Sequence, residues 1–406
     1  MQTLEHLLIL GPGPSSSHTI GPYRIARRFL KDAGPASLKE ARVTLFGSLA
    51  LTGKGHLTDV TVRKVFESAS VPVTIDFDTS TEKLDHPNTM RIDAKKKDGT
   101  EISRTFYSVG GGAYLEKGEK SSVREVYPFK KFADLREYLK DKGNDLYRAV
   151  MDFDEKNIFD YGKNLLIHSF DTIERSLNYE GILPGNLRLE AVAKKIYGKA
   201  SRTDDPSERK NLYLSAYAYA TAEANARGEE LVTAPTCGSA GVVPAVLYDA
   251  YKEEHFSLDE LTKAYLCGAL VCNFIKQNAS ISGAVLGCQA EIGSAASFAA
   301  ASLSYLHGLS LHQTEYAAEV AMEHFLGLTC DPVEGYVQIP CIERNGIASI
   351  HAYASYLYAK DISIFRSNRV DFDTVIETMK QTGSELPSDL KETSRGGLAK
   401  YVRVGK

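Results

Sequence analysis

The feature that most limits the fold of this chain is an almost unbroken series of apolar helical segments in its second half. Helices are predicted at residues 158–179, 187–197, 207–227, 242–252, 257–277, 291–306, 311–328, 343–358 and 372–382. Several are rich in alanine and other small residues, which lets helices pack closely and be buried on all sides. This pattern predicts an all-α domain over residues 155–406, with a tail from Ser384 that is mostly loop docked on the surface.

The first part of the chain has a mixed pattern. Segments with strand composition or alternation lie at residues 42–46, 73–77, 90–93 and 102–107, and helical stretches lie near 21–31 and 59–68. We therefore expect a small α+β domain over residues 1–150 with a mainly antiparallel sheet. A charged, irregular region follows at residues 115–157, with a turn signal at Lys142-Gly-Asn144, and the domain boundary is expected between Lys142 and Phe159.

Composition argues against nucleic-acid and membrane partners. The net charge is −4 and no domain is basic, so no nucleic-acid partner is expected. The apolar run Leu7–Leu10 is stopped by Gly11-Pro12 and is no signal peptide, and the run Ala264–Ile275 is too short to span a bilayer. The six cysteines are therefore expected to be free thiols in a reducing cytoplasm.

Three cysteines are candidate metal ligands. Cys330 and Cys341 flank a turn between two predicted helices, and Cys288 stands just before another helix. Cys288 and Cys341 are thus expected at helix N-termini, where the helix dipole favours the thiolate that binds iron or zinc. No Cys-x-x-Cys pair is present, so spacing alone leaves open that all three are small core residues. Cys267 and Cys272 lie inside an apolar helix and are expected in the core.

Three loops carry polar groups suited to chemistry. The loop Gly11–Pro22 contains Ser15, Ser16, Ser17, His18 and Thr19, and the loop Thr233–Gly241 contains Thr236. Both place hydroxyls and free N–H groups at a helix start, which suits an anion, although simple helix capping is the alternative. A third loop holds Lys54 and His56 between glycines. His56 is a candidate general base, and a solvated loop histidine is the alternative.

Several motifs, taken together, resemble those of one enzyme family. They are residues 278–283, 287–289, 323–332 and 340–345, the loops at 11–22 and 233–241, His86–Thr89 and Ser108–Gly112. They resemble the iron–sulfur L-serine dehydratases, in the single-chain form with a β domain before an α domain. The resemblance covers nearly the whole chain. It implies conversion of L-serine to pyruvate and ammonia in the cytoplasm, in amino-acid degradation and gluconeogenesis. A homodimer is the expected form for such an enzyme.

The resemblance also implies roles for individual residues. A [4Fe–4S] cluster would be held by Cys288, Cys330 and Cys341, leaving one iron to act as a Lewis acid on the substrate carboxylate and hydroxyl. His56 would remove the α-proton, with His18 as the alternative. The candidate substrate-binding residues are Ser15, Ser16, Ser17, Thr19, Lys54, Thr236, Asn278 and Arg344.

The chain departs from the family pattern at two places. Cys237 stands where the family usually has asparagine, so its role stays open between substrate contact, filler and an extra thiol. Some members close the free iron position with a C-terminal cysteine, whereas this sequence ends Val402–Lys406. Water, a small anion or another side chain is expected to hold that iron.

Three other functions are compatible with the residues. A pyridoxal-phosphate lyase would use Lys54 as the Schiff base and Gly110–Gly112 as the phosphate loop. An iron–sulfur L-cysteine desulfidase would share the same scaffold and differ mainly in its leaving group. A non-catalytic amino-acid sensor with a structural metal would bind its ligand without turnover.

Overall fold

The computed structural model describes residues 1–81, 83–119, 124–365 and 368–402. The helices are α1 (Gly21–Ala33), α2 (Ser48–Thr52), α3 (Thr58–Ser68), α4 (Phe132–Leu139), α5 (Leu146–Phe153), α6 (Ile158–Ser176), α7 (Ala193–Ala200), α8 (Pro206–Ala226), α9 (Val242–Glu253), α10 (Leu258–Asn278), α11 (Gly283–Leu286), α12 (Ile292–Leu306), α13 (Leu311–Glu323), α14 (Cys341–Leu357), α15 (Phe372–Glu385) and α16 (Leu398–Tyr401). The strands are β1 (Leu10–Pro12), β2 (Leu38–Phe46), β3 (Val73–Asp78), β4 (Thr89–Lys96), β5 (Glu101–Gly110), β6 (Ala113–Glu116) and β7 (Glu230–Val232). Within these ranges, no helix is both long and apolar enough to cross a membrane.

The N-terminal part is built on a five-stranded sheet of order β3-β2-β4-β5-β6. Only the β2–β3 pair is parallel, so the predicted mainly antiparallel sheet is confirmed. Apolar side chains of the sheet, such as Val43 and Phe106, pack with Phe29 of α1 and Phe66 of α3 in one buried cluster. Helices α1 and α3 thus cover one face of the sheet, and their shared apolar core holds this α+β part together.

The C-terminal part is helical as predicted, except that its described residues include the short strand β7, so the prediction of an all-α domain is wrong at this point. At its centre lies α12, an alanine- and serine-rich helix that is buried from Ile292 to Ser304. It packs against α10, whose Gly268 faces Phe298 and Ser302 of α12. Because small side chains leave room for close approach of the backbones, this helix needs no polar face.

We expect Gly268→Ala to lower the free energy of unfolding by about 1–3 kcal/mol, as overpacking of a core does. An added Cβ would lie 2.5 Å from the Phe298 carbonyl oxygen and still closer to Ser302 Oγ. The matched control is Gly198→Ala in α7, where the nearest atom is 4.0 Å away. It should raise stability by about 0.5–1 kcal/mol, because alanine favours helix. Denaturant titration of both variants checks this, and equal midpoints would contradict it.

The region at residues 115–157, predicted to be irregular, contains two helices in its described part. Phe132, Leu135 and Leu139 of α4 are buried in the large helical core, together with Met1 and Leu4. These apolar positions cover only two turns of helix and are surrounded by charged residues, so the sequence pattern did not predict a helix here. The expected boundary near residue 150 stays a prediction.

The tail was predicted to be loop on the surface, and this is wrong for its middle. Cys330 N–H donates to the Leu390 carbonyl at 2.8 Å, and Glu392 N–H donates to the Cys330 carbonyl at 2.7 Å. These bonds draw the tail inward and bury Glu392. Residues 403–406, on which the prediction for the chain end falls, lie outside the described residues.

The serine-rich loop is tied to the helical part by a small sheet. Strand β1 pairs antiparallel with β7, which precedes the Thr236 loop. Asn225 Nδ2 of α8 also donates to the Pro14 carbonyl at 2.8 Å. These contacts place Ser15 beside the cysteines.

Candidate active site

One buried cavity brings together residues from both parts of the chain. Its lining residues are Pro14, Ser15, His56, Gly238, Cys288, Glu291, Ile292, Cys330, Pro332, Val337, Cys341 and Glu392. Five of the predicted site residues are among them: Ser15, His56 and the three cysteines. The lining is mostly small or apolar, so its few polar groups set its chemistry.

The three cysteines reach the cavity from two segments: Cys288 precedes α12, and Cys330 and Cys341 belong to the connection between α13 and α14. Cys288 starts a short 3-10 turn before α12 and Cys341 is the first residue of α14, so their predicted helix-terminal positions are confirmed. A hydrogen bond from the Cys330 thiol, and then the Arg344 guanidinium, lower the pKa of Cys288 to about 6. Burial raises the pKa of Cys341. The site thus favours a thiolate at Cys288.

Arg344 is the cation that balances these thiols. It is largely buried, donates to the Thr329 carbonyl at 2.8 Å and pairs with Asp331 at 3.3 Å. Although burial opposes its charge, the neighbouring cysteines and Asp331 raise its pKa overall. The sequence interpretation placed Arg344 next to the cysteines, and this placement is confirmed.

His56 is buried and faces the cavity, so the alternative of a solvated loop histidine is wrong. Its Nδ1 lies 2.9 Å from the Thr52 carbonyl, which can only accept, so Nδ1 carries the hydrogen. Its Nε2 is therefore the free lone pair, 3.5 Å from Glu392 Oε1. Burial lowers the pKa of His56 to about 4, which keeps the ring neutral at pH 7.

The glycine before His56 serves a close contact between the two parts of the chain. A Cβ on Gly55 would lie 2.5 Å from the carbonyl oxygen of Gly335, in the loop between Cys330 and Cys341. Any larger residue would push the His56 loop away from the cysteines.

His18 stacks on His56 with ring centroids 4.5 Å apart. Its Nε2 lies 2.9 Å from Ser48 Oγ and its Nδ1 lies 2.9 Å from Ser17 Oγ. Burial, and then His56, hold the pKa of His18 well below its usual value. His18 is not among the described residues that line the cavity, so it contacts the site through its neighbours.

Two glutamates at the cavity, the buried Glu392 and the partly buried Glu291, were missed by sequence reasoning. Glu392 Oε1 lies 3.4 Å from His18 Nδ1, and burial, followed by Glu291 and Cys288, raises the Glu392 pKa well above its usual value. Glu291 Oε1 accepts from Thr236 Oγ1 at 2.8 Å, and burial raises the pKa of Glu291 to about 8. An acidic residue at a helix start or in a polar tail is ordinarily exposed, so neither position carried a signal.

The remaining hydroxyl residues of the first loop support the histidines. Ser15 Oγ accepts from the His18 N–H at 3.1 Å, so the helix-capping interpretation also holds. Thr19 Oγ1 donates to the His56 carbonyl at 2.7 Å. Ser16 and Ser17 are buried in the same turn. Contact of these residues with substrate stays a prediction.

Two candidate substrate-binding residues lie elsewhere. Lys54 is exposed, with its Nζ 5.4 Å from the centroid of the Phe77 ring. Asn278 Nδ2 donates to the Lys130 carbonyl at 2.8 Å in a separate surface groove. Neither is among the described residues that line the cavity, and their predicted roles stay predictions.

The other three cysteines are buried apart from the candidate ligands. Cys267 and Cys272 lie within α10 in the core, as predicted. Cys237 packs in a small apolar cluster with Ile20 and Leu231, and burial raises the pKa of its thiol. These contacts support the filler role among those left open for Cys237.

Comparison with known proteins identifies the family. A family model described as serine dehydratase alpha chain matches residues 107–399, and one described as serine dehydratase beta chain matches residues 4–82. The chain is 36% identical to L-serine dehydratase 1 of Escherichia coli, over 99% of this chain and 100% of that protein. It is 37% identical to the L-serine dehydratase of Haemophilus influenzae, over 96% of this chain and 97% of that protein. The chain belongs to the serine dehydratase family, with its beta-type region before its alpha-type region in one polypeptide.

Proposed function

We propose that this chain is an L-serine ammonia-lyase that converts L-serine to pyruvate and ammonia with an iron–sulfur cluster. The observation that carries the proposal is the meeting of Cys288, Cys330, Cys341 and His56 at one buried cavity. It agrees with the similarity of the chain to proteins named L-serine dehydratase.

The residues present fit an iron–sulfur cluster. Cys288, Cys330 and Cys341 offer three soft sulfur donors in a buried site, and the Arg344 guanidinium offsets their negative charge. When bound, the [4Fe–4S] cluster would supply Lewis-acid polarisation of the substrate oxygen atoms. The cluster type is part of the proposal.

His56 is the proposed base. Its Nε2 lone pair faces the cavity because Nδ1–H is held by the Thr52 carbonyl. The neutral ring can therefore take the α-proton of serine without first losing one of its own. Loss of that proton and of the hydroxyl group gives 2-aminoacrylate, whose imine tautomer hydrolyses to pyruvate and ammonia.

The decisive experiment is anaerobic purification with iron and sulfide analysis, followed by pyruvate assays on L-serine, L-threonine and L-cysteine. We expect iron and sulfide together with turnover of L-serine. Sulfide release from L-cysteine with no serine turnover would identify a desulfidase. Binding without turnover would identify a sensor. A yellow protein indifferent to iron chelators would identify a pyridoxal-phosphate lyase, which the exposed position of Lys54 disfavours.

The pH dependence of kcat, measured at saturating L-serine, provides a further prediction, because kcat reports ionisations in the enzyme–substrate complex. A histidine base works when neutral, and burial lowers the pKa of His56 to about 4. Activity should therefore persist below pH 6.5 and fall only as the pH approaches about 4, where His56 gains a proton. Anaerobic rate measurements between pH 8 and pH 5, with cluster absorbance recorded at each point, check this. An acid limb at or above pH 6.5 with the cluster intact would contradict it.

The expected homodimer, cytoplasmic location and role in amino-acid degradation and gluconeogenesis also belong to this proposal. Sedimentation velocity of the iron-loaded protein tests the dimer, and a single species with the mass of one chain would refute it.

A further inference from the structure

Three buried hydrogen-bond acceptors converge at the edge of the cavity. One ligand atom each of His18, His56 and Glu392 lies within 4.8 Å of the other two. Glu392 Oε1 is 3.4 Å from His18 Nδ1 and 3.5 Å from His56 Nε2. His56 Nε2 carries a lone pair, because the hydrogen of the neutral ring is on Nδ1, which donates to the Thr52 carbonyl.

The hydrogen positions on His18 follow from Ser48. Ser48 Oγ donates its one hydrogen to the Glu392 carbonyl at 2.7 Å. It must therefore accept from His18 Nε2, which leaves His18 Nδ1 as an acceptor. The two nitrogens that face the Glu392 carboxyl group, His18 Nδ1 and His56 Nε2, therefore carry lone pairs and no hydrogen. Neither neutral ring donates a hydrogen bond to this carboxyl group.

Among the residues that the structure describes, no cation lies beside the buried carboxyl group of Glu392. Its Oε2 has no hydrogen-bond partner among the described residues. The described lining of the cavity contains neither lysine nor arginine. Apart from a backbone hydrogen bond from Ala284, the described residues give this carboxyl group no donor. Its ionised form is therefore unfavourable until a positively charged donor enters the site.

We propose that Glu392 binds the α-ammonium group of the substrate and so selects amino acids over analogues that lack the amine. This inference rests on the proposed function. The ammonium group brings positive charge and three N–H donors to a place that lacks both. Because the α-carbon is one bond from that nitrogen, the same contact places the α-proton beside His56 Nε2.

Two alternatives fit less well: Glu291 as the residue that binds the ammonium group, and a metal ion as the ligand of Glu392. Glu291 is also a carboxyl group on the cavity, but its Oε1 already accepts from Thr236. A divalent metal ion on His18, His56 and Glu392 would use the His56 lone pair that proton removal needs. The backbone of Glu392 has φ 57° and makes two hydrogen bonds: its N–H donates to the Cys330 carbonyl, and its carbonyl accepts from Ser48 Oγ. These bonds fix the position from which the carboxyl group would bind the ammonium group.

The test compares L-serine with 3-hydroxypropanoate, which keeps the carboxylate and hydroxyl but lacks the amine. In the iron-loaded protein, we measure KM for L-serine and the competitive inhibition constant for 3-hydroxypropanoate. Glu392→Gln should raise KM by about 10- to 100-fold, as loss of a hydrogen bond to a charged group does. Glu392→Gln should change the inhibition constant for 3-hydroxypropanoate far less than it changes KM for L-serine. The iron and sulfide content of the variant should match that of the unaltered protein.

Glu291→Gln is the matched control, since it makes the same substitution at the other carboxyl group on the same cavity. The selectivity is the inhibition constant for 3-hydroxypropanoate divided by KM for L-serine. If Glu291→Gln lowers this ratio and Glu392→Gln leaves it unchanged, the proposal is wrong. It is also wrong if the unaltered enzyme turns over L-serine yet binds 3-hydroxypropanoate equally well, a measurement that needs no variant. If Glu392→Gln fails to fold, Glu392→Asp retains the charge and should keep most of the selectivity. Absence of serine turnover in the unaltered protein would instead refute the proposed function.

Discussion

Replacing Cys288, Cys330 or Cys341 with alanine is expected to abolish both iron binding and pyruvate formation. All three cysteines line the same buried cavity, whereas Cys267 and Cys272 lie within α10 and Cys237 lies in a separate apolar cluster, so none of these replaces a lost ligand. Losing one of three thiolates leaves a cluster with too few protein ligands to remain bound. Iron and sulfide analysis, with the cluster absorbance, measures the loss directly.

Cys267→Ala and Cys272→Ala are the matched controls. Both thiols are fully buried within α10, and burial raises the pKa of each. These variants should keep full iron content and lose about 1 kcal/mol of stability, as is usual for a small core truncation. Full iron content in any of the three ligand variants would refute the assignment of that cysteine.

His56→Asn is expected to lower kcat by about 10²–10⁴-fold while iron content and serine binding are retained. His56 lines the cavity with a free Nε2 lone pair, whereas the ring nitrogens of His18 are engaged by Ser17 and Ser48. His18→Asn should therefore raise KM more than it lowers kcat, because His18 contacts Ser15 and Ser17 of the predicted substrate-binding loop and does not face the α-proton.

Exchange of the α-proton of serine with deuterated solvent distinguishes the two histidines. The His56→Asn protein should lose this exchange, and the His18→Asn protein should retain it at a reduced rate. Wild-type exchange in His56→Asn, together with its loss in His18→Asn, would reverse the two roles.

Several sequence predictions depended on regular periodicity and were accurate for that reason. The strands at residues 42–46 and 73–77 lie within β2 and β3, and the predicted helix at 257–277 matches α10 within one residue at each end. Alternation and helical spacing persist over enough residues there to outweigh local exceptions. The short helix α4 failed this test because only three buried apolar positions mark it among charged residues.

The sequence by itself determined the two-part α+β organisation, the helix-terminal positions of Cys288 and Cys341, and the choice of His56 as a candidate base. Each of these depends on local pattern or on short motifs. Only the tertiary structure decided that Glu392 lies beside His18 and His56, more than 300 residues earlier in the chain. A polar tail has no periodicity, so its local sequence favours solvent. The backbone hydrogen bonds to Cys330 and the contact with Ser48 bury Glu392 instead, and such long-range pairing leaves no trace in neighbouring residues.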